Sequence, residues 1–311
     1  MIYPWLEAVD AEFSDRLHND RLPHALLLSG PRDTGKVALA SGFIASLLCQ
    51  ENQHPACGSC RSCQLLNSGA HPDGHTITFE EHPKKPGELR KELVIGQVRS
   101  LISALHLTNT FSKRKAALIY PLEDMNTYAV NALLKTLEEP PGETVLILVS
   151  HDPARLPATI RSRCQNLHVR PPDLAGALEW LCHASAVSRP EAEAALQSAA
   201  GSPLKALRML RDGSADQYRQ VTSALNDLRL GGMSPGAAMA ALVDVEPELL
   251  WSWISLLAAG ELKNAIADPA VSRALSLLQS EADRNRKLMP TPVRKDFLLQ
   301  DWLIQWSRIR T

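Results

Sequence analysis

The chain has 311 residues, with 33 basic side chains against 34 acidic ones and a formal charge of −1. At 45% hydrophobic and 22% charged it carries enough apolar material for packed cores, which excludes wholesale disorder, collagen-like order and a disulfide-dense miniature scaffold. Near neutrality argues against this chain alone wrapping a polyanion, so any nucleic-acid role is local or shared, and the length predicts two or three domains.

The first residues, Met1 to Glu7, contain no basic stretch followed by an apolar run, and Glu7, Asp10 and Glu12 come too early for a signal peptide. The longest apolar-leaning segment, Val37 to Cys49, is interrupted by Ser41, Gly42 and Ser46 and falls short of the ~18–20 residues a spanning helix needs. A cytoplasmic protein with no membrane partner is expected. In that reducing compartment the six cysteines favour metal binding over structural disulfides.

His24 to Ser29 reads as a strand running into a glycine-bounded turn, and Val37 to Leu48 as a helix. Thr76 to Phe79 and Ala116 to Tyr120 are short strand candidates, and Thr144 to Ser150 is an apolar run suited to a strand buried on both faces of a parallel sheet. Ile95 to Leu107 and Ala129 to Leu137 carry helical patterns, whereas the proline-broken, charged segment Glu80 to Gly87 reads as an exposed loop. Alternating strands and helices predict an α/β domain with an open parallel sheet.

After Pro171-Pro172 the chain becomes helical: Asp173 to Ala184, a helix opened by Arg189-Pro190-Glu191, and another opened by Gly201-Ser202-Pro203. Beyond Asp212-Gly213, longer helices are punctuated by Gly231-Gly232, Ser234-Pro235, Asp268-Pro269 and Thr291-Pro292. In the last three pairs a capping side chain precedes a proline suited to the first helical position. Trp251, Trp253, Trp302 and Trp306 fall in this part and are expected in its core.

Gly30-Pro31-Arg32-Asp33-Thr34-Gly35-Lys36 fits a phosphate-binding loop: Gly30 and Gly35 turn backbone amides toward phosphate oxygens, and Lys36 reaches the terminal phosphates. The next residue is Val37, where a serine or threonine hydroxyl would ligate magnesium. The acidic pair expected at the end of the following apolar strand is displaced, since Glu123 and Asp124 come three residues beyond Tyr120. Loss of the hydroxyl and of the carboxylate pair predicts no ATP hydrolysis; whether ATP still binds at Gly30, Gly35 and Lys36 is left open.

Cys49, Cys57, Cys60 and Cys63 form C-x7-C-x2-C-x2-C. Two-residue gaps let adjacent sulfurs converge on one tetrahedral zinc ion, and four sulfur ligands leave no open position for water, so the zinc would be structural. Cys164 and Cys182 lack such company and read as core residues.

Taken with His24-Ala25-Leu26, the four-cysteine insert, Asn131 to Pro141 (NALLKTLEEPP) and Ser162-Arg163-Cys164, the chain resembles the delta prime subunits of bacterial DNA polymerase III clamp loaders, within the clamp-loader branch of the AAA+ proteins. The motifs cover about residues 1 to 212; the C-terminal hundred match in helical character alone. The resemblance implies three domains: a RecA-like AAA+ domain over 1–170 with a zinc-binding insert at 49–63, a small helical lid over 171–212, and a helical collar over 213–311. It also implies that Arg163 acts in trans on the ATP of a neighbouring subunit. The implied partners are the ATPase subunits (gamma/tau) and the delta subunit in a heteropentamer, with the sliding clamp and primed DNA engaged through the complex. The chain would belong to a DNA polymerase holoenzyme while having no ATPase activity of its own. Leu204, with Lys205 beside it, holds the place where the motors carry a second phosphate-sensing arginine. The alternatives are an ATP-hydrolysing clamp-loader motor and a small-molecule kinase; the kinase needs a catalytic carboxylate that the sequence does not offer.

Overall fold

In the computed structural model, which describes residues 2–265 and 267–309, the chain forms two compact units, Met1–Pro172 and Asp173–Thr311. The strands of the first are β1 (Ala25–Ser29), β2 (Gly74–Ile77), β3 (Glu81–His82), β4 (Lys85–Leu89), β5 (Lys115–Ile119), β6 (Thr144–Ser150) and β7 (Gln165–His168). Its helices are α1 (Glu7–His18), α2 (Lys36–Leu48), α3 (Arg61–Asn67), α4 (Ile95–Leu105), α5 (Thr127–Glu138) and α6 (Ala158–Arg161). Five strands form one parallel sheet in the order β2-β5-β6-β1-β7.

Period-two side-chain alternation feeds both faces of this sheet. Leu26 and Leu28 of β1 enter one core with Phe13, Phe43 and Val149, while Ala25 and Leu27 enter the other with Leu101, Leu133 and Leu148. Every residue of β1, β5 and β6 is buried, which is why these strands read as unbroken apolar runs. A fully buried leucine contributes about 1.5–3 kcal/mol, so these strands supply much of the unit's stability. The α/β class and parallel sheet expected from the sequence are those observed.

Glu80 to Gly87, expected to be a loop, is a correction: it contributes most of a two-stranded antiparallel hairpin of β3 and β4. Both strands are edges, so Pro86 loses no interior ladder bond, and the Gly87 amide donates to Glu81 Oε1 at 3.0 Å. The hairpin remains solvent-exposed along β4.

The second unit contains α7 (Leu174–Ser185), α8 (Arg189–Ser198), α9 (Pro203–Asp212), α10 (Ser214–Arg229), α11 (Pro235–Ala241), α12 (Pro247–Asn264), α13 (Pro269–Leu288) and α14 (Lys295–Ser307). Asp173, Ser202, Ser234 and Asp268 each accept a backbone N–H in the first turn that follows, satisfying donors a helix start leaves open. Thr291-Pro292 is the exception. α14 starts at Lys295, and the Thr291 hydroxyl instead donates to the Leu288 carbonyl at 2.6 Å, closing the preceding helix. Residues expected in lid and collar share one apolar cluster running from Ala177 to Ile309. The four tryptophans lie within it: Trp302 donates to the Leu278 carbonyl (3.0 Å) and Trp306 to that of Leu225 (2.9 Å).

Candidate functional site

The loop expected to bind phosphate, Gly30 to Lys36, follows β1 and opens α2. Gly30 adopts φ 148°, and a Cβ there would lie 2.2 Å from the Val169 carbonyl oxygen. Gly35 adopts φ 85°, and a Cβ there would lie 2.6 Å from the Tyr3 ring. Both positions therefore demand glycine for conformation and for space. Tyr3 stacks on Trp5 with ring centroids 5.2 Å apart, and the Trp5 indole donates to the Thr34 carbonyl at 2.9 Å. The N-terminal turn is thus laid against the loop.

Lys36, expected to reach phosphate, is buried. Its ammonium donates to the Pro31 carbonyl and to Thr34 Oγ1, the latter at 3.2 Å. Burial pushes the Lys36 amine down to about 8. The cation a nucleotide would need is engaged by acceptors of its own loop.

Glu123 and Asp124 stand closer to this loop than their late position in sequence implies. After β5 the chain makes a short 3-10 turn, Leu122–Asp124, and the strand ends converge as is usual in open α/β sheets. Arg32 Nη2 lies 3.8 Å from Glu123 and 3.7 Å from Asp124, Arg155 lies 3.4 Å from Asp124, and the His151 amide donates to both Glu123 oxygens at 3.1 and 3.2 Å. Both carboxylates are thus already engaged by protein partners. Burial, aided by Lys36, pushes the His151 imidazole down to about 4, leaving it neutral near pH 7.

Arg163 sits apart from this loop, between α6 and β7. Its triplet divides the work: Ser162 Oγ donates to the Thr159 carbonyl at 3.2 Å, Cys164 packs into the core against which α5 lies, and Arg163 points outward. Burial pushes the Cys164 thiol up to about 12, so it is an inert anchor. Arg163 Nε donates to Glu138 Oε1 at 2.7 Å, Nη2 contacts the same oxygen, and Nη1 donates to the Thr159 carbonyl at 2.9 Å. No role for Glu138 is apparent in the sequence, although an acidic residue ending a helix opposes the helix dipole and so signals a local cation.

The Sγ atoms of Cys49, Cys57, Cys60 and Cys63 all lie within 4.8 Å of one another. Cys57 and Cys63 Sγ are 3.9 Å apart, close to the roughly 3.8 Å edge of a tetrahedron with metal–sulfur bonds of about 2.3 Å. Amides of Cys57, Cys60 and Cys63 donate to Cys49, Cys57 and Cys60 sulfurs at 3.5, 3.3 and 3.4 Å. Backbone N–H groups of Cys60 and Ser59 pull the Cys57 thiol down to about 6, while burial pushes Cys63 up to about 12. A closed four-sulfur metal site fits this cage, and its chemistry is to hold the loop rather than to activate water.

A buried polar chain fixes the cage to the sheet. The Asp73 amide donates to His71 Nδ1 (3.0 Å), which leaves Nε2 carrying the proton toward Ser62 Oγ (2.6 Å), and Ser62 donates to the Leu48 carbonyl (2.6 Å). The Asp73 carboxylate accepts the amides of Thr110, Phe111 and Ser112 at 2.9, 2.7 and 2.9 Å. Burial acts to raise its pKa, but the three donors prevail and hold it below the usual value.

Comparison with known proteins gives this geometry a family. Residues 6–173 match the family described as DNA polymerase III, delta subunit. The chain is 36% identical to the DNA polymerase III subunit delta' of Pseudomonas aeruginosa over 310 residues, 98% of this chain and 90% of that one. The chain belongs to the DNA polymerase III delta' family of clamp-loader subunits. This delta' chain is also 36% identical to the Escherichia coli K12 subunit delta' over 224 residues, 72% of this chain and 65% of that protein. It is 30% identical to the Haemophilus influenzae subunit tau/gamma over 178 residues, covering 24% of that protein. Among solved structures, a gamma subunit-related protein of Thermotoga maritima superposes with a TM-score of 0.49 at 15% identity, over 98% of this chain and all of that one. No described helix of this delta' chain is long and apolar enough to cross a membrane.

Proposed function

We propose that this delta' chain is a non-hydrolysing subunit of the DNA polymerase III clamp loader, supplying Arg163 in trans to the ATP of an adjacent ATPase subunit. The observation that carries the reading is a contrast within one domain. In the chain's own loop the Lys36 ammonium is bonded to Pro31 and Thr34, whereas Arg163 stands partly exposed at the surface. A guanidinium offered to a neighbour's γ-phosphate stabilises charge spread over the transferring group, an effect worth roughly 10³–10⁵ in rate for such arginines.

In this reading the partners are the gamma/tau and delta subunits in a cytoplasmic heteropentamer that places the sliding clamp on primed DNA. Residues 171–212 serve as a lid and 213–311 as the collar that joins the ring. Cys49, Cys57, Cys60 and Cys63 hold a structural zinc, and no step of catalysis passes through it. The experiment is ATP turnover measured on the purified chain and on the assembly with its ATPase partners. The purified chain is expected to show no magnesium-dependent turnover, and Arg163→Ala to slow the assembly; steady turnover by the chain alone would favour a motor subunit instead.

A further inference from the structure

We infer that Glu138 is the positioning residue for Arg163, an inference that rests on the trans-arginine reading. A guanidinium has five N–H donors in a rigid plane. Glu138 Oε1 takes Nε and Nη2, and the Thr159 carbonyl takes Nη1 at 2.9 Å. Nη1 also donates to Ser162 Oγ at 3.4 Å, a long bond, which leaves one N–H of Nη2 without a protein partner among the described residues. A phosphate oxygen would take that N–H, and exchanging the long Ser162 bond for a second oxygen would complete a two-point contact. The side chain would otherwise sample many rotamers at a surface where 34% of it is exposed, and holding it before the neighbour's ATP arrives removes that ordering cost from the transition state.

The location of Glu138 supports this assignment. It is the last residue of α5, followed by Glu139 as the C-cap, so both carboxylates face the negative end of the helix dipole. The surface ion pair itself adds little to folding, since both members are partly exposed. A carboxylate placed against the dipole for little stability is accounted for by what it does to Arg163.

The test uses the assembly reconstituted with Glu138→Ala, Glu138→Gln, Glu138→Asp, Arg163→Ala and the double variant Glu138→Ala/Arg163→Ala. Glu138→Ala and Glu138→Gln are expected to lower kcat for ATP by about tenfold with KM unchanged, the scale of a small misplacement of a catalytic group. Glu138→Asp should recover part of the loss, and the double variant should be no slower than Arg163→Ala, because the two residues act as one unit. If Glu138→Ala turns over at or above the parental rate while Arg163→Ala is slow, the positioning role is overturned and the trans-arginine reading survives. If Arg163→Ala itself runs at the parental rate, the trans-arginine reading falls and this inference falls with it.

Discussion

The indole of Trp5 donates to the carbonyl of Thr34 across 2.9 Å, fastening the start of the chain to the middle of the phosphate loop. Tyr3 completes the contact by resting where a Cβ on Gly35 would go. Gly35→Ala is therefore expected to destabilise the protein by about 1–3 kcal/mol, from left-handed backbone strain and collision with the ring. Adding Tyr3→Ala should return the steric part and leave the backbone part. Urea denaturation of the two singles and the double would reveal this as a favourable coupling; strict additivity would refute the contact's role.

Lys36 makes stability depend on pH in a defined direction. Burial holds its amine near 8 in the fold, against the ordinary 10.5, so the charged form is disfavoured by folding. The penalty is fully present below pH 8 and disappears as pH rises toward 10.5, for a swing of roughly 3 kcal/mol. The stability of Lys36→Met relative to the parent should accordingly be highest below pH 8 and decline steadily across that window. A pH-independent difference between the two melting curves would contradict the burial of a titrating amine.

Asp73 shifts stability in the same direction with pH, but in acid and as a contribution rather than a penalty. Three backbone amides converge on its carboxylate and hold its pKa below the ordinary value, so its contribution is present above about pH 3.9 and is lost as pH falls through the lowered folded value. Asp73→Asn should cost about 2–3 kcal/mol at pH 7, read as a lower urea midpoint at constant slope. The gap to the parent should close in acid.

Metal analysis of the purified chain should find about one tetrahedral ion per molecule, and replacing it with cobalt(II) should produce the intense absorption of thiolate-to-metal charge transfer. Chelation is expected to lower the melting temperature of the intact protein, because site occupancy is coupled to folding. Cys60→Ser should lose both the absorption and the ion. A metal-free preparation with a normal melt would rule the site out.

How much of this was legible depends on what each segment buries. β1, β5 and β6 announce themselves because all their residues lie between two cores. β7 does not, because Leu167 alone of Gln165 to His168 is buried and the strand rests on β1 for its pairing. α1 was equally silent, burying only Val9 and Phe13 of its length. The cysteine spacing revealed the cage directly, since sequence neighbours supply all four sulfurs. Glu123 reached the phosphate loop only through the 3-10 turn after β5, and the Glu138–Arg163 pair joins residues 25 apart in the chain. Such long-range pairings leave no period or spacing to read.

One helix joins two of these chemistries. α2 is a rod of 13 residues whose first position is Lys36 and whose C-cap is Cys49, so the glycine-bounded loop and the four-cysteine cluster stand about 20 Å apart on a single axis. An axial shift of that rod at either terminus must be absorbed at the other. Unfastening the four-sulfur cage would therefore loosen the far end of the element that carries Lys36.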